Sequence, residues 1–420
     1  MRLRYALPAG LVDAALNSLA TLGVGIYAAR SLTTAEFGTY ALFFSAFTVA
    51  TVLPTQLVLV PAEVATLLAR GTERLGVLRW GWRGGLPIAV AAAMAASVAA
   101  WLGARASRDV LLAFAVTMPA FAVASTFQDH VRRTLHMAGA HWRAAVISLV
   151  HLLTIVLSLA VLELGGIGAV WRPFATLAAA NMVSASVGYA LSRHDLRRLI
   201  TPRYRRMELA RSGQWLLLVE LATSGALFFS STFITRLAGA EVLGYAEAAR
   251  IVAQPLYVLT IGLSASLWPR SMEAAAGRSR GAARHIARLT AAVIVLAGVL
   301  YGATTIVPWW GNPLGTLIPQ AYVVEGLVAL SVLGFVVVGV SFPPRTELIG
   351  AGMERSLAGV ALLAGALQCA AAFSAVWIGP FARPVGLTLF ATVLVLGCWR
   401  QLKALYEEPT LIPKSGSRGG

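Results

Sequence analysis

The chain has 420 residues, of which 58% are hydrophobic and only 12% are charged, and its mean hydropathy is +0.74. Soluble domains carry about 25% charged residues, so the composition excludes a soluble enzyme or a soluble binding domain. The net charge is +16, and the placement of the arginines decides what that charge means.

Charge-poor segments long enough to cross about 30 Å of hydrocarbon recur along the whole chain. Twelve such segments are predicted, at 10–30, 39–67, 84–104, 109–128, 144–163, 166–192, 213–235, 243–268, 288–307, 320–343, 356–378 and 381–399. Membrane strands would alternate apolar and polar residues, and these segments do not. The predicted fold class is therefore all-α integral membrane, with twelve transmembrane helices.

The basic residues fall mostly in one set of the predicted loops. With both ends in the cytoplasm, the cytoplasmic segments hold 27 of the 34 Lys and Arg residues. Six others lie at the opposite face, namely Arg30, Arg105, Arg108, Arg172, Arg236 and Arg383. This asymmetry follows the positive-inside rule and predicts cytoplasmic termini. The net positive charge is then explained by basic loops that set the membrane orientation and lie beside anionic lipids. We therefore predict contact with membrane lipids and no binding of nucleic acid.

The most basic stretch divides the chain into two halves of six predicted helices. We predict an N-terminal bundle over 1–192, a cytoplasmic linker over 193–212, a C-terminal bundle over 213–400 and a disordered cytoplasmic tail over 401–420. Six helices return the chain to the side from which it started. Like halves would therefore be parallel repeats, related by an axis along the membrane normal and facing each other across a central cavity.

A first pair of similar segments supports such a duplication. Segments 30–40 and 236–245 both join the first two helices of a half. Each follows a Leu-Val-acid triplet, which ends in Asp13 in the first half and in Glu220 in the second. The two segments therefore predict equivalent connections in the two halves.

A second pair lies between the fourth and fifth helices of each half. Segments 133–144 and 345–356 align without gaps, with Arg133 opposite Arg345 and small residues opposite small residues. Two matches in the same order make an internal duplication the best interpretation. Paired halves of this kind are a recurring architecture of secondary transporters.

Acidic residues within the predicted helices are candidates for an ion site, because a charge in hydrocarbon is costly. Asp13 and Asn17 are four residues apart and share a helix face, and Glu220 lies on the matching helix of the second half. An acid at the same place in each half is typical of a proton or sodium site. Acids close to the cytoplasmic surface would instead be solvated or would cap helices, and both interpretations stay open.

Glu247 and Arg250 are three residues apart in the eighth predicted helix and can pair on one face. The first-half position that matches Glu247 is Leu42, so this pair is not duplicated. A charge pair in one half only favours substrate recognition, and a structural ion pair is the alternative. The sequence contains no Walker loop, no metal-ligand cluster and no acidic glycosyltransferase motif. We therefore predict no enzyme activity and no cofactor.

The segment 28–42 reads Ala-Ala-Arg-Ser-Leu-Thr-Thr-Ala-Glu-Phe-Gly-Thr-Tyr-Ala-Leu. It resembles the end of the first helix and the start of the second in bacterial polysaccharide exporters. These are the O-antigen and teichoic-acid flippases of the multidrug/oligosaccharidyl-lipid/polysaccharide exporter superfamily. Their pattern there is a small-Arg-Leu stretch followed by Glu-Phe-Gly-x-Tyr, and 240–245 carries a degraded copy. Twelve helices in two halves extend the resemblance to nearly the whole chain.

The resemblance implies a secondary transporter of the bacterial cytoplasmic membrane. It would flip a polyprenyl-linked oligosaccharide by alternating access, with Arg250 and Glu247 as the substrate-binding residues and Arg250 contacting the diphosphate. A polysaccharide polymerase or glycosyltransferases would be its protein partners. A drug/cation antiporter of the same superfamily and a membrane scaffold for polysaccharide-assembly enzymes are the alternatives, and the sequence names neither the sugar nor the coupling ion.

Overall fold

The computed structural model describes residues 3–65, 71–193, 206–276 and 279–407, and within these ranges the chain forms helices and turns without strands. The first half contains α1 (Leu3–Ser31), α2 (Thr34–Pro54), α3 (Val60–Ala65), α4 (Val77–Gly103), α5 (Arg108–Met137), α6 (His141–Leu164) and α7 (Arg172–Ser192). The second half contains α8 (Arg206–Ala238), α9 (Ala240–Ala276), α10 (Arg280–Ile306), α11 (Leu314–Leu317), α12 (Leu327–Gly350), α13 (Glu354–Ala372), α14 (Ala375–Ile378) and α15 (Ala382–Glu407).

Eleven segments of the described residues are helical, long enough and apolar enough to cross a membrane. The twelfth long helix is α9, with 37 residues. The two halves repeat the same packing: α1 contacts α6 and α5 contacts α7, as α8 contacts α13 and α12 contacts α15. The halves meet where α2 packs against α8 and α9. The predicted all-α fold with two six-helix bundles is confirmed.

Several predicted boundaries differ from the observed ones. α12 begins at Leu327 rather than at 320, after a loop that ends at Gly326 with a φ of 75°. α8 begins inside the predicted linker 193–212, and α15 continues into the predicted tail 401–420. Helical hydrogen bonding continues past the apolar segment that hydropathy detects, so helix ends extend beyond it. The remaining linker residues 194–205, the end of the tail and both termini lie outside the described residues.

The helical regularity of α2 changes at Pro54. Proline has no N–H group, so the Ala50 carbonyl loses its usual partner in the helix. A π-helical turn, Thr55–Leu59, follows directly. Thr55 and Gln56 of this wider turn lie in the wall of a cavity, so Pro54 affects the shape of the protein interior.

The spacing of Thr33 and Glu36 within segment 30–40 has a local structural consequence. The backbone N–H of Thr33 donates to the Glu36 carboxylate at 2.8 Å, and the backbone N–H of Glu36 donates to the Thr33 hydroxyl at 3.3 Å. This reciprocal capping box satisfies two N–H groups at the start of α2. Glu36 therefore fixes where α2 begins.

The duplicated connections face each other across the two halves. A Cβ atom on Gly38 of α2 would collide with the carbonyl oxygen of Ala240, and one on Gly244 of α9 would collide with that of Thr34. Only glycine permits this backbone-to-backbone crossing. The two helix starts therefore close the face predicted to be extracytoplasmic, which we call the outer face.

Two side chains add to this closure. The Arg30 guanidinium donates to the carbonyl oxygens of Gly315 at 3.0 Å and Thr316 at 2.7 Å. The Tyr322 hydroxyl donates to the Leu32 carbonyl at 3.4 Å. Burial raises the pKa of Tyr322 to about 12, so the hydroxyl keeps its proton at neutral pH. The outer face is held shut by contacts between the two halves.

The second duplicated pair corresponds in a register different from the sequence alignment. The α5–α6 turn passes through Gly139 with a φ of 78°, and the α12–α13 turn passes through Gly352 with a φ of 72°. Matching these glycines places Arg132 opposite Arg345. The alignment of Arg133 with Arg345 is therefore wrong by one residue, because small residues fill both turns and align equally well in either register.

Candidate functional site

Two cavities lie beside the seam between the halves, and the Glu220 side chain lines both. The first has a volume of about 350 Å³, and we call it the first-half cavity. Its wall is rich in amide and hydroxyl groups, among them Asn17, Gln56, Gln128 and Asn181. Its charged residues are Asp129, Arg132, Arg133 and Glu220. The first-half cavity is therefore polar but balanced in charge.

The second-half cavity, about 280 Å³, has a different chemistry. Three arginines line it, Arg250, Arg345 and Arg383. The remaining wall is largely aromatic and aliphatic, including Phe44, Phe335, Phe342, Leu387 and Phe390. Cationic groups here lie directly beside apolar surface.

Glu247 lies behind this cavity wall, between two of the arginines. Its carboxylate accepts hydrogen bonds from Nε of Arg250 at 2.8 Å and from Nη2 at 2.7 Å. Its Oε2 atom also lies 2.8 Å from Nη1 of Arg383 in an ion pair. Only 1% of the Glu247 side chain is exposed. The predicted Glu247–Arg250 contact is present, and the group as a whole carries one net positive charge.

Arg383 is the functional candidate that the sequence interpretation missed. It was counted among the arginines of the opposite face, because it lies near the start of the last predicted helix. In the structure it is the second residue of α15, and 7% of its side chain is exposed. Its partner Glu247 is far away in sequence, so helical spacing gave no signal for the contact.

Arg250 is the member of this group that faces the second-half cavity most openly. Its side chain is 22% exposed. Its guanidinium lies 5.7 Å from the centre of the Phe44 ring, which comes from the other half of the protein. Glu247 thus holds one edge of a guanidinium that packs across the seam between the halves.

Asp13 is buried, with 3% of the residue exposed. Arg132 donates two hydrogen bonds to its carboxylate, at 2.7 and 3.1 Å. The Ser148 hydroxyl donates at 2.6 Å, and a ring nitrogen of His136 lies 2.9 Å away. The expectation that Asp13 is solvated or caps a helix is therefore wrong, because it lies among side chains of α5 and α6.

The three candidates for an ion site, Asp13, Asn17 and Glu220, lie in different surroundings. Asn17 lines the first-half cavity, whereas Asp13 does not, so the structure does not bring these two side chains to one surface. Glu220 lies 3.3 Å from Nη2 of Arg345, and 38% of its side chain is exposed. Among the described residues, no group of three His, Cys, Asp or Glu side chains is placed to hold a metal ion.

No protein-family model matches this chain, and no curated protein matches it. Its fold is nevertheless shared with solved transporters. One is an inward-facing multidrug resistance MATE family transporter of the MOP superfamily, with a TM-score of 0.66 and 17% identity over 95% of this chain and 99% of the other. The outward-facing conformation of such a transporter gives a TM-score of 0.61 at 17% identity, over 95% of each chain.

A further structure is a MOP superfamily transporter from Pyrococcus furiosus, described by a reverse polarity of its binding pocket that suggests a different function. It has a TM-score of 0.62 and 16% identity, over 95% of each chain. At these identities the likeness establishes the fold and not the substrate. The chain is a multi-pass membrane protein with the fold of MATE transporters.

Proposed function

We propose that this protein is a secondary transporter that flips a lipid-linked oligosaccharide or polysaccharide precursor across the bacterial cytoplasmic membrane by alternating access. The observation that carries the proposal is the second-half cavity, where three arginines lie beside a wall of phenylalanine and leucine side chains. An anionic group joined to a long hydrocarbon chain matches both features of that wall. A polyprenyl diphosphate has this composition.

Arginine is suited to the phosphate end of such a substrate. Its planar guanidinium donates two parallel hydrogen bonds to phosphate oxygens and keeps its charge when partly buried. Arg250 is exposed to the cavity, so we assign it to the diphosphate. Glu247 acts as a positioning residue, because it fixes the orientation of Arg250 and separates Arg250 from Arg383.

The first-half cavity supports the sugar end of the substrate. Its amides and hydroxyls can exchange hydrogen bonds with sugar hydroxyls, which removes most of the cost of moving a sugar away from water. Gln128 is 2% exposed, and its Nε2 atom has no hydrogen-bond partner among the described residues. A buried donor of this kind is available to a substrate oxygen.

Ion coupling is assigned to the same three residues that the sequence indicated. Glu220 lines both cavities and is open to a proton or a sodium ion, and Asn17 lines the first-half cavity, where its amide oxygen is open to a sodium ion. Asp13 is held by Arg132, so its participation requires the release of that arginine. Glu220 is the first residue to test for coupling, because it is an acid that lines both cavities, whereas Asp13 is buried and Asn17 carries no charge.

A drug/cation antiporter is the main alternative, since the MATE structures above share the fold. The charges of the second-half cavity favour an anion, because three arginines there face only two carboxylates, Glu220 and Glu247. A cation would be repelled from that wall. A membrane scaffold that binds a polysaccharide polymerase or glycosyltransferases would leave both cavities without a substrate.

The test uses cells that lack the gene and make a lipid-linked saccharide. We expect the intermediate to accumulate on the cytoplasmic leaflet and polymer assembly to stop, and we expect the wild-type gene to restore both. Unchanged distribution of the intermediate, together with increased sensitivity to cationic drugs, would favour the antiporter. Normal leaflet distribution with mislocalised assembly enzymes would favour the scaffold.

A further inference from the structure

The protein contains an acid–arginine pair twice, once in each half. Asp13 of α1 pairs with Arg132 of α5, and Glu220 of α8 pairs with Arg345 of α12. These are the first and fourth long helices of their halves. Because the turns place Arg132 opposite Arg345, both pairs occupy equivalent positions near the cytoplasmic ends of the helices. The two copies can therefore be compared directly.

The first-half copy has the geometry of a closed structural contact. Arg132 binds Asp13 through two nitrogens, and His136 and Ser148 occupy the remaining sides of the carboxylate. Only 4% of the Asp13 side chain is exposed. Two nitrogens of Arg132 are thus committed to a buried carboxylate, although Arg132 also lines the first-half cavity.

The second-half copy differs at its carboxylate, whereas the two arginine side chains are similarly buried, with 14% of Arg345 and 12% of Arg132 exposed. Glu220 and Arg345 share one contact of 3.3 Å, which is long for a charged hydrogen bond. Glu220 is 38% exposed, about ten times the exposure of its counterpart. The Arg345 guanidinium lies 5.6 Å from the centre of the Phe342 ring, and the residue lines the second-half cavity.

The neighbours of this pair are also cationic. Arg345 lines the same cavity as Arg250 and Arg383, and Glu247 is already shared by those two arginines. Glu220 is thus the one carboxylate of this wall that a weak contact holds. Moving it aside would leave Arg345 facing the cavity without its counter-charge.

We propose that Arg345 is an anion-binding residue whose site Glu220 occupies in this structure, and that the phosphate group of an entering lipid takes the place of the carboxylate. The inference rests on the proposed function, which supplies an anionic lipid. A phosphate binds the guanidinium edge more strongly than one carboxylate oxygen at 3.3 Å. Arg345 is then the first contact of the phosphate near the cytoplasmic end, and Arg250 is the deeper one.

Displacement has a consequence for Glu220. Its side chain lines both cavities, so the released carboxylate stays at the boundary between them. Glu220 therefore excludes small anions until a better ligand arrives. It also places a negative charge beside the polar first-half cavity once the phosphate is bound.

The test measures binding of a short-chain polyprenyl diphosphate without sugar to the purified full-length protein. We expect Glu220→Gln to raise the affinity about 2- to 5-fold, the range that corresponds to losing a weak, partly exposed ion pair. Arg345→Gln should lower the affinity about 10-fold or more, because a charged hydrogen bond to phosphate is lost. The affinity of Arg345→Lys should lie between those of wild type and Arg345→Gln, since lysine keeps the charge but cannot donate two parallel hydrogen bonds.

The matched control is Asp13→Asn, which breaks the closed copy of the same pair. It should lower thermal stability and give no gain in affinity. Unchanged or weaker binding by a stably folded Glu220→Gln variant would overturn the inference. So would an Arg345→Gln variant that binds like wild type.

Two further arms separate the possible failures. Inorganic pyrophosphate should compete only weakly with the lipid, and pyrophosphate binding tighter than the lipid would overturn the assignment to a lipid phosphate. If Arg250→Ala abolishes lipid binding while the Glu220 and Arg345 variants change nothing, the inference fails and the proposed function stands. If the wild-type protein does not bind the lipid, the proposed function itself fails.

Discussion

Removal of the Glu247 charge should destabilise the protein strongly. Glu247→Gln leaves Arg250 and Arg383 close together without the carboxylate that both contact at 2.7–2.8 Å. Each contact is worth on the order of 6 kcal/mol at an effective dielectric of about 20, and desolvation offsets part of it. Breaking a buried pair by removing one partner costs about 3–5 kcal/mol, and we expect a loss in that range.

The matched variant is Arg383→Gln, which leaves Glu247 bound by both nitrogens of Arg250. Its cost should be about 1–2 kcal/mol, because no buried charge loses its last partner. The double variant Glu247→Gln/Arg383→Gln restores the original net charge and should recover most of the lost stability. Thermal unfolding in detergent, followed by size-exclusion chromatography, measures all three.

The result that refutes this reasoning is a Glu247→Gln variant as stable as wild type. An Arg383→Gln variant less stable than Glu247→Gln would refute it equally. The expected loss is larger than for an isolated Glu247–Arg250 pair, because Arg383 loses its carboxylate partner as well.

Two other outcomes follow from the described contacts, and a third follows from the distribution of basic residues. Gly38→Val should push the start of α2 away from α9, because the valine side chain would collide with the Ala240 carbonyl. Cysteine cross-linking between the two helix starts should then fall, and efficient cross-linking in this variant would contradict the closed outer face. Asp13→Asn should cost about 3–5 kcal/mol of stability, whereas Asn17→Ala in the cavity wall should be nearly neutral, and equal losses in thermal unfolding would contradict the burial argument. Membrane-impermeant cysteine labels should reach 193–212 only from the cytoplasm, and labelling from outside would overturn the predicted orientation.

Sequence reasoning reached the architecture because membrane spans are set by length and hydropathy, which are local properties. Duplication was visible for the same reason, since segments 30–40 and 236–245 both contain Ala-Glu followed by a glycine and a tyrosine. The register near Arg133 was misassigned because small residues carry little positional information. Helix ends were misplaced where helical hydrogen bonding continues into polar residues, as at Glu407.

The candidate site was only half predictable. Glu247 and Arg250 are one helical turn apart, so their contact follows from spacing. Arg383 reaches the same carboxylate from another helix, and Arg132 reaches Asp13 in the same way. Contacts between distant segments depend on how helices pack, and a single sequence does not encode that in any local pattern.

The most direct test of the proposed function is translocation of a lipid-linked oligosaccharide in proteoliposomes that contain the purified protein. We predict that wild type moves the lipid between leaflets, that Arg250→Ala abolishes movement, and that Arg250→Lys recovers only part of it. The deciding variant is Glu247→Gln/Arg250→Gln, which removes both charges of the pair. Normal translocation by a well-folded double variant would contradict the assignment of Arg250 to the diphosphate, and no translocation by wild type would contradict the function itself.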